Sequence, residues 1–363
     1  MALDSDLESW LRLTLIPGLG DQSLRKLLVA FGAPQQILDA SHAALIKIVP
    51  ANIAAAISSS GGAAAEKLDG VSLWLEKPAN HVITLADSLY PQALLQTPDP
   101  PLLLYVIGRA ELLNHDALAI VGSRSASPQG IANAEAFARA LSDAGLTIVS
   151  GLALGIDAAA HRGALAGAAS SIAVVGTGLD IVYPARNRDL AHQLAEQGAI
   201  VSEFPLGTPA LASNFPRRNR LICGLARGCL VVEAALQSGS LITARLANEQ
   251  GKEVFAIPGS IHSPLSKGCH RLIKQGAKLA ESAQDILEEL RLLAPAPSPS
   301  GPPFLAEPQT QALLDKLGFD PCDIDALCAR CGLKSDVVSS LLTQLEIEGQ
   351  VAALPGGLYQ RIN

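Results

Sequence analysis

Three arginines stand within four residues of one another in Asn214-Phe215-Pro216-Arg217-Arg218-Asn219-Arg220, inside a chain of 363 residues whose formal net charge is −7. Guanidiniums so close repel one another, so the cluster contributes to folding only where an anion or several carboxylates sit opposite. A phosphate is one such anion, and Phe215 inside the same run offers an aromatic face on which a base can stack. Two readings stand side by side: the arginines neutralise phosphates, or they pair with Glu203 or Glu233 and shape the loop.

Asp157 and His161 form the one pair with acid–base spacing. They fall four residues apart on the helix expected to start at Gly155, so they share a face. A carboxylate that holds an imidazole can serve general acid–base catalysis. The commoner arrangement is that Asp157 caps the helix start and His161 pairs with it to fix the loop, and that reading is preferred. Glu203 and Glu233 each follow an apolar run; they are expected to pair with the arginines rather than to move protons.

Other chemistries fail on spacing. Gly176-Thr177-Gly178-Leu179-Asp180-Ile181 lacks the third glycine of a dinucleotide fingerprint, and the chain has no G-x-x-x-x-G-K-[ST] loop. G-x-S-x-G and H-E-x-x-H are absent too. Cys322, Cys328 and Cys331 approach a zinc pattern, but Cys328 and Leu327 fall at helix-core spacing and a fourth ligand is missing. Neither a metal nor a cofactor is expected.

Between residues 118 and 290 the chain repeats one unit: a short β-branched apolar run, a Gly or Ser turn, then a stretch of helical period. The runs are Leu118–Val121, Leu146–Val149, Ile172–Val175, Ala199–Val201, Cys229–Val232 and Glu253–Ile257. Apolar strands alternating with helices predict a Rossmann-like α/β domain, a doubly wound and mainly parallel sheet covered on both faces. Ligands of such sheets sit beyond the carboxyl ends of the strands. The turns there are Gly122-Ser123-Arg124, the loop from Ser150 through Gly151 and Ala153 to Gly155, Gly176-Thr177-Gly178, Ser202-Glu203-Phe204, Glu233 with Ser238-Gly239-Ser240, and Pro258-Gly259-Ser260. Their amides and hydroxyls converge on one rim, which suits phosphate oxygens.

The flanks read differently. Residues 1–77 alternate leucine-rich stretches with glycine breaks, giving four or five short helices; Ile16-Pro17-Gly18-Leu19-Gly20 resembles a helix-hairpin-helix turn. Residues 78–290 form the sheet domain, entered through Pro98-Asp99-Pro100-Pro101 and the expected edge strand Leu102–Ile107. A proline-rich linker covers 291–303. In 304–363 three helical stretches and a hairpin predict a winged-helix-like domain. That domain carries four basic residues against eight acidic ones, so a protein-interaction or self-association role is expected in place of duplex binding. The acidic N-terminus lacks a basic leader, no run is long and apolar enough for a bilayer, and six scattered cysteines suit a reducing compartment; a cytoplasmic protein is expected.

Five motifs in order between Val121 and Ala244 resemble the DNA-processing protein A (DprA, also called Smf) family: Val121-Gly122-Ser123-Arg124, Ser150 to His161, Gly176 to Asn187, Phe215-Pro216-Arg217-Arg218-Asn219-Arg220, and Val232-Glu233-Ala234 with Ser238 to Ala244. The resemblance implies an extended Rossmann-like domain that binds single-stranded DNA without catalysis, self-association as a homodimer, and delivery of the strand to the RecA recombinase in natural transformation. It also implies a DNA pocket at Ser123, Arg124, the Gly151–Gly155 loop with Ala153, and Phe215, Arg217, Arg218, Asn219 and Arg220, with Lys274 a weaker candidate. Asp157, His161, Glu203, Glu233, Ser238 and Ser240 then hold the loops. The rival class is a phosphoribohydrolase-like nucleotide enzyme or a nucleotide sensor. Such hydrolases carry a Pro-Gly-Gly-x-Gly-Thr loop, whereas this chain reads Gln237-Ser238-Gly239-Ser240-Leu241-Ile242-Thr243.

Overall fold

A computed structural model describes residues 3–59, 65–292 and 308–362; the proline-rich stretch 294–303 lies outside the described residues. The N-terminal part is α1 (Ser5–Thr14), α2 (Asp21–Phe31), α3 (Pro34–Leu38), α4 (His42–Leu45), α5 (Ala51–Ser58) and α6 (Ala65–Leu75). Each helix is short and amphipathic. None can stand alone at that length, so tertiary burial holds them. Leu11 and Leu13 of α1 and Leu24 and Leu27 of α2 are fully buried, each worth about 1.5 to 3 kcal/mol of apolar burial.

The chain then runs β1 (Asn80–Thr84), α7 (Gln92–Leu95), β2 (Leu103–Gly108), β3 (Ala117–Val121), α8 (Pro128–Asp143), β4 (Thr147–Ser150), α9 (Ile156–Leu165), β5 (Ser171–Val174), α10 (Arg188–Gln197), β6 (Ala199–Ser202), α11 (Asn214–Leu225), β7 (Gly228–Val231), α12 (Ser240–Glu249), β8 (Glu253–Ala256), α13 (Lys267–Lys274), β9 (Lys278–Leu279) and α14 (Ala283–Glu289). The strands form one sheet in the order β1-β2-β6-β5-β4-β3-β7-β8-β9. From β6 to β9 all neighbours are parallel. The two strands beyond β6 are antiparallel.

All six expected runs are strands, and every residue of β3 to β7 is buried, as befits a sheet covered on both faces. Leu102–Ile107 does not form the edge: β1 pairs outside it, Asn80 opposite Ile107. The run Asn80-His81-Val82-Ile83-Thr84 is short and starts polar, which hides it.

Alternation along the strands divides the burial. Ala119 and Val121 of β3 face the core under α11 and α12, with Leu221, Ile222 and Ala244. Leu118 and Ile120 face the opposite side, with Ala134 and Leu141 of α8 and Ala160 of α9. Toward β2 that side is covered by the N-terminal helices, whose Trp10, Leu13 and Leu27 share a core with Tyr105, Val175 and Leu190. Trp74 meets Tyr105 edge to face, their ring centroids 5.9 Å apart.

The C-terminal part is α15 (Pro308–Leu317), β10 (Cys322–Asp323), α16 (Ile324–Cys331), α17 (Ser335–Ile347), β11 (Val351–Leu354) and β12 (Leu358–Arg361), the winged-helix order. Its own core gathers Leu313, Leu327, Val338, Leu342 and Val351. Gly332 ends α16 in the left-handed conformation at φ 67, where glycine lacks the Cβ clash.

Candidate functional site

Strand order reverses direction at β3, which lies between β4 and β7, so the loops leaving β3 and β7 diverge and open a crevice. A cleft of about 760 Å³ occupies that place, lined by Gly122, Ser123 and Arg124 after β3, Ala153 and Asp157 after β4, Phe215 and Asn219 of α11, and Gln237 to Ser240 leading into α12. With Tyr183 from the segment after β5, five separated stretches of sequence meet there.

Backbone bonds hold the walls. Ser123 N–H donates to the Glu233 carbonyl at 2.8 Å, and the Ser123 carbonyl accepts from Ile156 N–H at 3.1 Å. These two bonds tie the β3 loop to the β7 and β4 loops. The Ser238 and Ser240 hydroxyls lie 2.7 Å apart, which folds the entry to α12 onto itself.

The floor is the 151–155 loop, and two of its glycines are required. A Cβ on Gly151 would run into the Arg218 guanidinium, and one on Gly155, at φ 75, would strike the Ser123 carbonyl. Leu152 between them also sits in the left-handed region, at φ 56, an uncommon state for a γ-branched residue. Three side chains over-determine it. Asp157 accepts from Gly151 N–H at 3.1 Å, His161 Nε2 accepts from Leu152 N–H at 3.3 Å, and Asn187 donates to the Leu152 and Ala153 carbonyls at 2.8 and 3.1 Å.

Asp157 and His161 therefore brace one loop without bonding each other, which departs from the expected pairing. His161 Nδ1 lies 2.7 Å from the Ser171 hydroxyl, which itself donates to the Ile148 carbonyl, so the neutral ring carries its proton on Nδ1. Burial, reinforced by the positive charges of Arg218 and Arg162, pushes its pKa down to about 3. Burial pushes the Asp157 pKa up, while the Arg218 guanidinium and the two loop amides favour its carboxylate.

The arginine cluster does not face one rim. At about 100° per residue the face of α11 turned to the cleft carries Phe215, Asn219 and Ile222, whereas Arg217 and Arg220 fall on the far side. There Arg217 donates to Glu203 at 3.1 Å and to Asp21 of α2 at 2.8 Å, and Arg220 pairs with Glu203. The Glu203 side chain is only 3% exposed; burial raises its pKa, and the Arg220 and Arg217 guanidiniums work against that rise. Arg218 borders the cleft from below and is 4% exposed. Its guanidinium donates to the Gly151 and Val174 carbonyls, and burial lowers its pKa to about 10. Lys274 is exposed at the last turn of α13 and outside the cleft lining.

Glu233 differs from expectation as well. It meets Ser127 instead of an arginine, accepting from its backbone N–H at 2.9 Å and its hydroxyl at 2.5 Å. It thus satisfies the start of α8, where an anion is favoured. Burial raises its pKa against those two bonds.

Arg124 is exposed in the cleft mouth, its guanidinium 5.6 Å from the centroid of the Phe215 ring. Tyr183, which sequence reasoning did not single out, stacks at a tilt on the other contact of Phe215, centroids 5.6 Å apart, and is 47% exposed. Asn187 was likewise missed as a brace. Both lie between β5 and α10, Tyr183 in a loop and Asn187 at the end of a single 3-10 turn (Ala185–Asn187), where no periodicity marks a side chain's direction. Among the described residues no group of three or more His, Cys, Asp or Glu is placed to hold a metal ion, and no helix is long and apolar enough to cross a membrane.

A doubly wound sheet with its cleft at the switch point, preceded by a helical part and followed by a winged helix, defines a Rossmann-like α/β protein of three-part design. The sequence profile described as DNA recombination-mediator protein A matches residues 81–291, and that of the DprA winged helix domain matches 294–357. Protein Smf of Escherichia coli K12 is 43% identical over 98% of this chain and 96% of its own. The X-ray structure of DNA processing protein A from Streptococcus pneumoniae superposes with a TM-score of 0.68 at 38% identity, over 80% of this chain and 99% of that one. A DNA processing protein A structure from Helicobacter pylori, described for its single-stranded DNA binding mode, gives 0.53 at 32% identity over 58% and 96%. The chain belongs to the DNA recombination-mediator protein A (DprA/Smf) family.

Proposed function

We propose that the cleft binds single-stranded DNA, with Arg124 at a phosphate and Phe215 with Tyr183 as the stacking platform for a base. The observation that carries this reading is the arrangement of an exposed guanidinium beside an aromatic pair at the mouth of a switch-point cleft. A base has a π-face whatever its identity, so stacking of this kind gives affinity with little sequence preference. Ser123, Asn219, Ser238 and Ser240 supply polar edges along the walls, and the amides near Ala153 lie at the floor. The Helicobacter pylori relative's single-stranded DNA binding mode supports the reading.

The protein acts as a binder and not as a catalyst. In support, Asp157 Oδ2 accepts from loop amides, both ring nitrogens of His161 are engaged, and both Glu233 oxygens accept from Ser127. We extend the proposal to the family's recombination-mediator description: a homodimer in the cytoplasm shields the incoming strand and passes it to the RecA recombinase. The acidic winged helix takes part in protein contacts.

Titration of fluorescent oligo-dT at several salt concentrations tests the cleft assignment. Neutralisation of the one phosphate that Arg124 meets gives a slope of log K against log salt of about −0.7 per cleft. A flat response would sink the proposal.

A further inference from the structure

The two arginines turned away from the cleft belong to a closed circuit of alternating charge. Asp21 of α2 accepts from Arg217; Arg217 and Arg220 both meet Glu203; Arg220 lies 3.6 Å from Asp99; and Asp99 meets Arg25, which is again on α2. Asp21 and Arg25 are four residues apart and so present one face of α2. Three carboxylates and three guanidiniums thus join the N-terminal helices, the Pro98–Pro101 loop and α11. The circuit is further anchored by main-chain bonds, Arg25 to the Pro100 carbonyl at 2.6 Å and Arg220 to the Asp99 carbonyl. Arg217 also lies 5.3 Å from the centroid of the Phe204 ring.

α11 is the shared wall. Its opposite face supplies Phe215 and Asn219 to the cleft, and Pro216 joins the two faces. The geometry points to Asp21 and Arg217 as positioning residues: the N-terminal helices set the first turn of α11, and through it the Phe215 ring, by way of this circuit. A lone half-exposed ion pair contributes little. A circuit with one member, Glu203, almost fully buried constrains far more, because removing Arg217 or Arg220 leaves that charge short of a partner, and Asp21 holds Arg217 in place for it. This inference rests on the cleft being the DNA site, and its test has a readout that does not depend on DNA.

The full chain would be compared as wild type, Asp21→Arg, Arg217→Asp and the double swap. Hydrogen exchange of the unliganded protein is read over residues 214–219, and oligo-dT affinity is measured alongside. Each single reversal is expected to speed exchange there and to weaken binding about three- to fivefold. The double swap, which restores opposite signs across the 2.8 Å contact but leaves Glu203 facing a carboxylate, is expected to recover part of both. The inference is overturned if the single variants exchange like wild type. It is overturned equally if the double swap recovers protection while binding stays as weak as in Arg217→Asp, since Arg217 would then read phosphate directly. If the wild type fails to bind oligo-dT, the cleft assignment falls, and the exchange data still judge the circuit.

Discussion

The Arg124 guanidinium stands 5.6 Å from the Phe215 ring centroid although the two residues come from different loops, one after β3 and one at the start of α11. The cation and the ring therefore hold each other in the cleft mouth, and neither is expected to act independently.

Arg124→Ala should lower oligo-dT affinity and reduce the magnitude of the salt slope by about 0.7, the value for one phosphate on a single strand. Phe215→Ala should cost about 1 to 3 kcal/mol of binding and leave the slope unchanged. The double variant should lose less than the sum, because each single change already removes a contact of about 0.5 to 1 kcal/mol between them. Fluorescence anisotropy across a salt series measures all three quantities, and additive losses would contradict the coupling.

Gly151→Ala should destabilise the fold by about 1 to 3 kcal/mol, since the added methyl meets a guanidinium fixed between two carbonyls. Thermal unfolding should show a fall of several degrees. Gly145→Ala offers a contrast: it has positive φ but open space, so its cost is backbone strain alone.

Acid should weaken the fold through His161. Its folded pKa, near 3, lies below the ordinary 6.5, so the unfolded chain takes up the proton first. Stability is then full above about pH 6.5 and is lost as pH falls toward 3, by at most about 1.4 kcal/mol per pH unit. Urea unfolding at pH 7 and pH 5 should show a smaller pH difference in His161→Gln than in wild type. Equal differences would place the titration elsewhere.

Glu233→Ala should lower stability by about 1 to 2 kcal/mol through loss of its bonds to the start of α8, while oligo-dT affinity changes less than twofold. Release of free base from nucleoside monophosphates by the pure protein, abolished in this variant, would instead support a hydrolase.

Duplex DNA affinity should be the same for the full chain and for a chain ending at residue 290. The exposed face of α17 carries Asp336 and Glu346, which a phosphate backbone repels. Tighter duplex binding by the full chain in a gel shift at moderate salt would show that the winged helix reads DNA after all.

The parallel strands were legible because fully buried strands read as continuous apolar runs, and strand order then placed the Gly-Ser turns on one rim. The arginine cluster misled because adjacency in sequence is dispersion on a helix: Arg217 and Arg220 fall three apart on one side of α11, and Phe215 and Asn219 fall four apart on another. Helical phase, applied to that stretch, would have separated them. No local signal could show that Glu233 serves Ser127, a residue 106 positions away, or that Tyr183 lies against Phe215.

The cleft is assembled from loops after β3, β4 and β7 together with α11, so no short segment of the chain carries it. An oligonucleotide bound there would in consequence be a ligand of the native state alone, and its binding would shift the unfolding equilibrium. At a hundredfold excess over Kd the shift is about 2.7 kcal/mol. Melting temperature thereby becomes a reporter of occupancy, and mutations far from the cleft that loosen the sheet should appear as losses of DNA affinity only near the temperature at which the fold itself gives way.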